Sequence, residues 1–341
     1  MRGARARGDA LGRRVLALSS PRILVLRALG LGDFLTGVPA MRALRRASPG
    51  HEVVLAAPAA LHDLVELSGV AGTLLATDGL EPIRWTGPAP ALAVNLHGRG
   101  PQSHLLLRTL RPERLVAFGC EEARHVGPAW DADEHEVRRW CRLLAQSLGI
   151  PVDSRDLLLE APEVAPAAGG AVVIHPGAAF PARRWPTDRF AAVARWARDE
   201  GHDVVVTGGP EEVELGEEVC RLAGLPAGAL LAGRTNLVEL AAEVASASLV
   251  VCGDTGVAHL ATAYATPSVL LFGPTPPSRW GPLVRGPHQV LWRGTEVGDP
   301  WADRPDPALL ATGVDDVVGA ATALLALSRS GPPSRTTPAS A

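Results

Sequence analysis

The chain contains no lysine, so its 33 basic residues are all arginine. We interpret this as a general preference for arginine codons, because alanine, glycine and proline are also abundant. The absence removes lysine, a common point-charge ligand of phosphate groups. Any site that binds an anion through a permanently charged side chain must therefore use arginine.

Cysteine is scarce, and the four residues lie far apart at Cys120, Cys141, Cys220 and Cys252. They form no C-x-x-C pair, which argues against a zinc site and against a disulfide framework. We therefore expect four reduced thiols and a cytoplasmic protein.

Neither sign of charge dominates, and no apolar stretch reaches the roughly 18 residues of a membrane-spanning helix. The net charge of −3 offers no electrostatic basis for binding nucleic acid. The basic start, residues 1–20, contains an apolar run, Val15 to Leu18, that is too short for a signal peptide. We expect this arm and the tail, residues 328–341, to be disordered, and transient contact with a membrane surface stays open.

Short apolar runs alternate with amphipathic segments, which predicts an α/β fold with parallel sheets. A proline- and glycine-rich segment, residues 149–170, interrupts this rhythm, and we expect few packed contacts to cross it. The sequence thus predicts two Rossmann-like domains, residues 21–160 and 171–327, that face a central cleft. The predicted strands are Ile23–Arg27, Glu52–Ala57, Ala91–Asn95 and Leu115–Ala117 in the first domain, and Ala171–His175, Asp203–Thr207, Ala229–Leu231, Ser248–Cys252 and Ser268–Phe272 in the second.

An anion site is predicted where the strand Ser248–Cys252 ends. The turn Gly253-Asp254-Thr255-Gly256 follows this strand, and a helical sequence begins at Val257. Such a turn points free backbone N–H groups and the positive end of the helix dipole at one place. The Thr255 hydroxyl can add a donor, and His259 lies one helical turn further along the same face.

The first strand leads into the segment Arg27-Ala28-Leu29-Gly30-Leu31-Gly32-Asp33. Gly30 and Gly32 have the spacing of a dinucleotide fingerprint, but Leu35 stands where the third glycine is required. Asp33 also places a negative charge at the phosphate position. We therefore interpret Asp33 as a carboxylate held in a glycine-rich loop at the cleft. The alternative is an N-cap of the following helix, a frequent role for aspartate.

Further polar motifs follow strands of the second half. The run His175-Pro176-Gly177-Ala178 precedes Arg183-Arg184-Trp185-Pro186, whose arginines can bind phosphate oxygens or form a solvated basic loop. In the turn Thr207-Gly208-Gly209-Pro210-Glu211, the last residue can accept hydrogen bonds from ribose hydroxyls. It can equally complement the helix dipole alone.

In this order and spacing, the motifs resemble glycosyltransferase family 9, the group that includes the ADP-heptose:lipopolysaccharide heptosyltransferases. The resemblance covers roughly Arg22 to Leu327. Its carriers are Gly32-Asp33 with Pro39, His175 to Ala178, Arg183 to Pro186, TGGPEE from Thr207, GDTGVAHLA from Gly253 and FGPTPPSRWGP from Phe272.

The resemblance implies a GT-B fold, in which the first domain binds the acceptor and the second binds the nucleotide sugar. It implies that Asp33 is the catalytic base and that Arg183, at a position usually occupied by lysine, contacts the diphosphate. The other implied residues are Asp254, Thr255, Gly256 and His259 for the diphosphate and Gly208, Gly209 and Glu211 for the nucleoside. From their positions after predicted strands of the first domain, we place Gly30, Gly32, His97 and Arg99 on the acceptor side.

The implied activity is inverting transfer of a heptose-like sugar from a nucleotide diphosphate, ADP in the named group, to a hydroxyl of a glycan or glycolipid. No cofactor and no metal ion are expected besides this co-substrate. Asp131-Ala132-Asp133 has the D-x-D spelling of metal-dependent glycosyltransferases, but we interpret these acids as the start of a long amphipathic helix. A nucleotide-sugar epimerase of the same architecture and a non-catalytic nucleotide-sugar-binding protein remain as alternatives.

Overall fold

A computed structural model describes residues 21–283 and 286–329 of the chain. It contains two five-stranded parallel sheets, and apolar clusters cover both faces of each. The predicted α/β class with two parallel-sheet domains is confirmed. The expected basic arm, residues 1–20, and the expected tail from residue 330 onward lie outside the described residues. Residues 328 and 329 belong to the last helix rather than to the tail.

The N-terminal sheet has the strand order β3-β2-β1-β4-β5. Because the order reverses direction between β1 and β4, the connections after these two strands diverge and leave a crevice at their carboxyl ends. The elements are β1 (Arg22–Leu26), α1 (Leu31–Ala47), β2 (Glu52–Ala57), α2 (His62–Ser68), β3 (Thr73–Ala76), β4 (Leu92–Asn95), α3 (Gln102–Thr109), β5 (Leu115–Val116) and α4 (Glu136–Leu148).

The C-terminal sheet has the order β10-β9-β8-β6-β7, so its reversal falls between β6 and β8. The elements are β6 (Val172–His175), α5 (Thr187–Asp199), β7 (Val204–Val206), α6 (Val213–Ala223), α7 (Leu237–Ser246), β8 (Leu249–Gly253), α8 (Gly256–Ala263), β9 (Ser268–Phe272), α9 (Pro277–Trp280), β10 (His288–Trp292), α10 (Pro307–Leu310) and α11 (Val314–Arg329).

The predicted strand Ala229–Leu231 is wrong as a full strand. Residues 227–229 form a 3₁₀ turn, and only Leu230 makes a β-bridge, to Val206. This bridge nevertheless lies beyond β7, where a third strand of the Rossmann order would lie. Both sheets therefore follow the same order around their first strand.

The two domains share one continuous apolar cluster. It runs from Phe34 and Leu35 of α1 to Val257 and Leu260 of α8. Because α1 and α8 belong to different domains, their contact brings the two sheets' carboxyl-end loops together. Among the described residues, no helix is both long and apolar enough to span a membrane.

The segment between the domains is more firmly packed than its proline and glycine content predicts. Leu157 and Leu159 are buried, and the Leu159 amide donates to the Ala263 carbonyl oxygen at 2.9 Å. Arg42 of α1 pairs with Asp156 at 2.8 Å. The expectation of few contacts is therefore wrong, because alternate leucines of this irregular segment face the core.

Candidate active site

Asp33 lies in the first turn of α1 rather than in a loop. The helix begins at Leu31, directly after Gly30, which has an extended conformation and provides no side-chain cap. Asp33 is therefore not the N-cap, and the loop interpretation is wrong in its local structure. Its carboxylate is 32% exposed and lies 3.8 Å from the Arg27 guanidinium.

Glycine at two positions allows the two domains to approach each other closely. A Cβ atom on Gly32 would lie 2.8 Å from the His259 ring, and a Cβ on Gly256 would lie 2.9 Å from the Leu31 side chain. No real Cβ tolerates such distances without movement of its neighbours. The amino-terminal ends of α1 and α8 thus meet directly, with Gly32 and Gly256 at the contact.

The surroundings of Asp33 favour its protonated form. Burial is the main cause that raises the pKa of this carboxyl, and the Glu136 carboxylate raises it further, whereas the Arg27 and Arg183 guanidinium groups lower it. A raised pKa makes the ionised carboxylate a stronger base than an ordinary aspartate.

The predicted anion site has the expected turn and helix. The Thr255 hydroxyl oxygen caps α8 by accepting from the Val257 amide at 3.2 Å. Its hydroxyl hydrogen stays available to a ligand. The preceding Asp254 is 6% exposed, and burial raises its pKa to about 6. Arg183 lowers the pKa of Asp254, and Asp33 raises it, so both domains contribute charges to this place.

His259 lies on the first turn of α8, with its ring 5.7 Å from the Trp280 ring. Burial lowers its pKa to about 4, and the nearby His135 and Arg27 lower it as well. The imidazole is therefore neutral at pH 7, and it can donate one hydrogen bond without bringing a charge.

The two adjacent arginines of the second domain have different environments. Arg184 donates from Nε to the Ala178 carbonyl oxygen at 2.8 Å, within its own loop. Arg183 ends the 3₁₀ turn of residues 181–183, and its Nε is buried without a hydrogen-bond partner. Its guanidinium carbon lies 5.6 Å from the Phe180 ring. Because a buried donor costs free energy when it is unpaired, Arg183 is the better candidate for an anion ligand.

Glu212, rather than the predicted Glu211, turns toward the strand ends. Its carboxylate accepts from the Gly209 amide at 2.8 Å and lies 3.8 Å from His175 Nε2. A Cβ on Gly177 would overlap the same carboxylate. Glu211 is exposed, whereas Gly208 is buried and packs near Glu212.

His175 and Thr207 complete this cluster at the ends of β6 and β7, with Nδ1 and Oγ1 at 3.0 Å. Burial lowers the pKa of His175, and Glu212 opposes that effect. These contacts connect two motifs that follow different strands, so they shape one wall beside the predicted nucleoside turn.

The two candidate acceptor residues after β4 differ in exposure. His97 has an Nδ1 that is buried without a partner, and burial together with Arg27 lowers its pKa to about 4. Arg99 is exposed. The structure therefore brings His97 near Arg27 and leaves Arg99 on the surface.

The acids of the D-x-D sequence do not begin α4. The helix starts at Glu136, and His135 caps it by accepting from the Val137 amide at 3.2 Å. Asp131 accepts from the Asp133 amide at 2.9 Å, while Asp133 pairs with Arg279 of the other domain. Within residues 21–283 and 286–329, no group of three or more His, Cys, Asp or Glu side chains could hold a metal ion.

Sequence reasoning missed the buried ion group beneath Asp33. Arg27 is fully buried, and its Nη2 lies 3.4 Å from the Glu136 carboxylate. Glu136 in turn accepts from Trp140 Nε1 at 2.7 Å. The one available signal was the position of Arg27, a charged residue at the end of a strand that is otherwise apolar.

The model of the protein family "Glycosyltransferase family 9 (heptosyltransferase)" matches residues 121–297, which is just over half of the 341 residues. The chain belongs to this family. The resemblance seen in the motifs is thus confirmed.

Among relatives of family 9, lipopolysaccharide heptosyltransferase 2 of Escherichia coli K12 is 37% identical over 112 residues. These residues are 32% of this chain and 32% of that protein, so the match spans about a third of its curated relative.

Two solved structures share the fold over almost their whole length. A glycosyl transferase family 9 protein from Veillonella parvula has a TM-score of 0.75 at 22% identity, over 92% of this chain and 99% of that chain. The ADP-heptose lps heptosyltransferase II of Escherichia coli has a TM-score of 0.73 at 22% identity, over 90% and 99%. The architecture is therefore the GT-B fold of family 9.

Proposed function

We propose that this family 9 protein transfers a sugar from a nucleotide-diphosphate donor to an acceptor hydroxyl, with inversion at the anomeric carbon. The observation that carries the proposal is the approach of Asp33 to the arginine-bearing and helix-terminal loops of the other domain. Arg183 lowers the pKa of both Asp33 and Asp254. A base and an anion site thus lie beside each other across the domain contact.

In this reaction the Asp33 carboxylate accepts the proton of the acceptor hydroxyl while the oxygen forms a bond to the anomeric carbon. The bond from that carbon to the diphosphate oxygen breaks, and the nucleoside diphosphate leaves with the electron pair. Burial strengthens Asp33 as a base, since it raises the pKa of the carboxyl. Attack and departure occur on opposite faces of the sugar, which inverts its configuration.

We assign the departing negative charge to Arg183, the amides at Thr255 and Gly256, and His259. An arginine donor that lacks a partner in the protein is available for a phosphate oxygen. The amino-terminal end of α8 provides oriented N–H groups, and the neutral His259 can donate without reorganisation. Stabilisation that increases as charge develops on the leaving oxygen lowers the barrier.

We further propose that residues 21–160 bind the acceptor and residues 171–327 bind the donor. Gly208, Gly209 and the neighbouring acids Glu211 and Glu212 form the proposed nucleoside side, and Gly30, Gly32, His97 and Arg99 the acceptor side. The names of the relatives favour an ADP-linked heptose and a lipopolysaccharide-like glycolipid as the first substrates to test. A cytoplasmic location fits the four free thiols.

The decisive experiment incubates the full chain with a set of nucleotide sugars, with and without a glycolipid acceptor, and analyses the products by mass spectrometry. A thermal-shift series with nucleoside diphosphates selects the donor base first, because a ligand of the folded state raises the unfolding temperature. Transfer that requires the acceptor supports the proposal. A sugar altered without acceptor indicates an epimerase, and donor binding without any product indicates a binding protein.

A further inference from the structure

One buried side chain holds the main chain at Asp33. Arg27 donates from Nε to the Asp33 carbonyl oxygen, from Nη1 to the Leu96 carbonyl oxygen, and from Nη2 to the Thr36 hydroxyl at 2.9 Å. It thereby connects the first turn of α1 to the residue that follows β4. These are the two connections that flank the crevice of the N-terminal sheet.

The same guanidinium lies between two carboxylates. Its Nη2 is 3.4 Å from Glu136 Oε1 and 3.8 Å from Asp33 Oδ1. Glu136 has other donors, because Trp140 Nε1 and Arg139 also bind it. The Trp140 ring lies beneath the guanidinium, 4.8 Å from its carbon. The positive charge of Arg27 therefore acts on two carboxylates, Glu136, which has further donors, and Asp33.

The geometry also leaves the Asp33 carboxylate available for its proposed reaction. Arg27 hydrogen-bonds the carbonyl oxygen of Asp33, and its distance of 3.8 Å from the carboxylate exceeds that of a hydrogen bond. A direct bidentate pair would occupy the carboxylate oxygens that must accept a proton. The arrangement fixes the residue while its reactive atoms stay free.

We propose that Arg27 is a positioning residue for Asp33, the base of the proposed transfer reaction. Glu136 controls how much of the positive charge of Arg27 acts on Asp33. The inference rests on the proposed function. It assigns to this ion group a role in the orientation and basicity of Asp33, besides any contribution to stability.

Arg27 and Glu136 have opposite effects on the pKa of Asp33, so their roles can be told apart by experiment. Burial and Glu136 on α4 raise the pKa of Asp33, while Arg27, which directly follows β1, and Arg183 in the 3₁₀ turn lower it. Asp254 faces it from the end of β8. Removing the positive charge at 27 must therefore move the pKa of Asp33 upward, and removing the negative charge at 136 must move it downward.

The test compares Arg27→Met, Arg27→Lys and Glu136→Gln by kinetics across pH. We expect Arg27→Met to lower kcat roughly 100-fold with little change in donor KM, because the base is misplaced while the donor site is intact. The acid limb of the kcat profile should move to higher pH in Arg27→Met and to lower pH in Glu136→Gln. Arg27→Lys keeps the charge and should recover part of kcat and the wild-type limb.

Arg42→Met is the matched control. Arg42 is on the same helix as Asp33 and donates from Nε to the Ser68 carbonyl oxygen at 3.0 Å, remote from the candidate site. This variant removes a helix-anchoring arginine, so it should reduce stability and leave the acid limb in place. If Arg27→Met does not fold, the downward shift in Glu136→Gln still decides the question.

A second readout does not depend on turnover. The Asp33 carboxyl is titrated by ¹³C NMR in protein labelled at aspartate, with the signal assigned by its loss in Asp33→Asn. Opposite shifts in the position-27 and position-136 variants support the inference even if no substrate is found. An unchanged Asp33 titration in both, or shifts in the same direction, overturns it, whereas failure of the transfer assay in the wild type counts against the proposed function alone.

Discussion

The segments that follow β1 and β6 occupy equivalent places in two sheets of the same strand order, yet they lead to candidate site residues of opposite charge. The first leads to Asp33, and the second leads to Arg183. Each lies where its own sheet reverses direction, which is the usual ligand crevice of such sheets. The same topology thus places a carboxylate on one wall and a guanidinium on the other.

Helices α1 and α8, which begin at the two crevices, also differ in the charge of their first turns. The first turn of α1 contains an acid, Asp33, whereas the first turn of α8 contains none and is capped by the Thr255 hydroxyl. A carboxylate in the first turn uses the positive end of the helix dipole, so α1 is poorly suited to an external anion. The N-terminus of α8 remains available for one. This difference supports the proposal that the diphosphate binds at α8 rather than at α1.

The largest loss of turnover is expected when the negative charge of Asp33 at the N-terminal crevice is removed. Asp33→Asn should lower turnover about 10²- to 10⁴-fold, the usual contribution of a general base, while nucleotide affinity stays near that of the wild type. Initial rates and donor titration by calorimetry measure both quantities. Near-normal turnover would exclude Asp33 as the base.

Removing the positive charge of Arg183 at the C-terminal crevice should lower turnover less, and it should also weaken donor binding. Arg183→Ala should lower kcat/KM roughly 10- to 100-fold, because a charge-assisted hydrogen bond strengthens as the leaving phosphate gains charge. Arg183→Lys should restore much of it. Arg184→Ala is the control, since Arg184 already donates to Ala178. Equal small losses in both alanine variants would mean that the pair is only a basic loop.

A pH effect is expected from Asp254, the acid nearest the anion site. Its folded-state pKa of about 6 is above its ordinary value of 3.8, so the protonated form stabilises the fold below about pH 4 and this contribution is lost as pH rises through 6. The loss is about 3 kcal/mol at most. Asp254→Asn should remove it, so that the variant gains free energy of unfolding relative to the wild type above pH 6.

Donor affinity should follow the same titration. An ionised Asp254 repels the diphosphate, so binding should weaken above about pH 6 in the wild type and not in Asp254→Asn. A nucleotide sugar is the proper probe, because each of its two phosphates has one ester and one anhydride linkage and keeps only a strongly acidic hydroxyl, which does not titrate in this range. A wild-type affinity that is flat between pH 5 and 8 would contradict this expectation.

Chelation of divalent metal ions is expected to leave turnover unchanged. The proposed stabilisation of the leaving group comes from Arg183 and α8, and Asp133 of the D-x-D sequence is already paired with Arg279. Turnover in EDTA should equal turnover in buffer. If activity is lost and returns with Mg²⁺ or Mn²⁺, the two crevices do not suffice, and Asp131 and Asp133 must be tested by substitution.

Strand ends and their motifs were predictable because they depend on local chemistry. Apolar runs followed by glycine and a polar residue identify the carboxyl ends of buried parallel strands, and Asp33, Arg183 and Thr255 all follow such runs. The loop expected around Asp33 is instead the first turn of α1, and the expectation was wrong because glycines such as Gly30 and Gly32 usually disfavour a helix. The edge strands β3 and β10 were missed, since β10 has no fully buried residue and β3 is at most half-buried.

Partners that are distant in sequence were not predictable. Nothing near Arg27 indicates Glu136, because the two meet only through the packing of α4 against α1. His135, which caps α4, is buried, and its Nε2 donates to the Gly281 carbonyl oxygen of the other domain at 2.8 Å. The sequence favoured Glu211 over Glu212 as the acid that faces the site. Residues 210–212 form a 3₁₀ turn, and this turn directs the side chain of Glu212 back to the Gly209 amide.

The contact of Gly32 with His259, and of Gly256 with Leu31, restricts how this protein can be recombined. Each pair joins one residue of each domain, and each glycine leaves no room for a methyl group. A chimera that takes its second domain from another family member must therefore carry compatible residues at all four positions. A second domain with a bulkier residue at 256 would hold the halves apart, so exchange of that domain between relatives requires that the amino-terminal ends of α1 and α8 be replaced together.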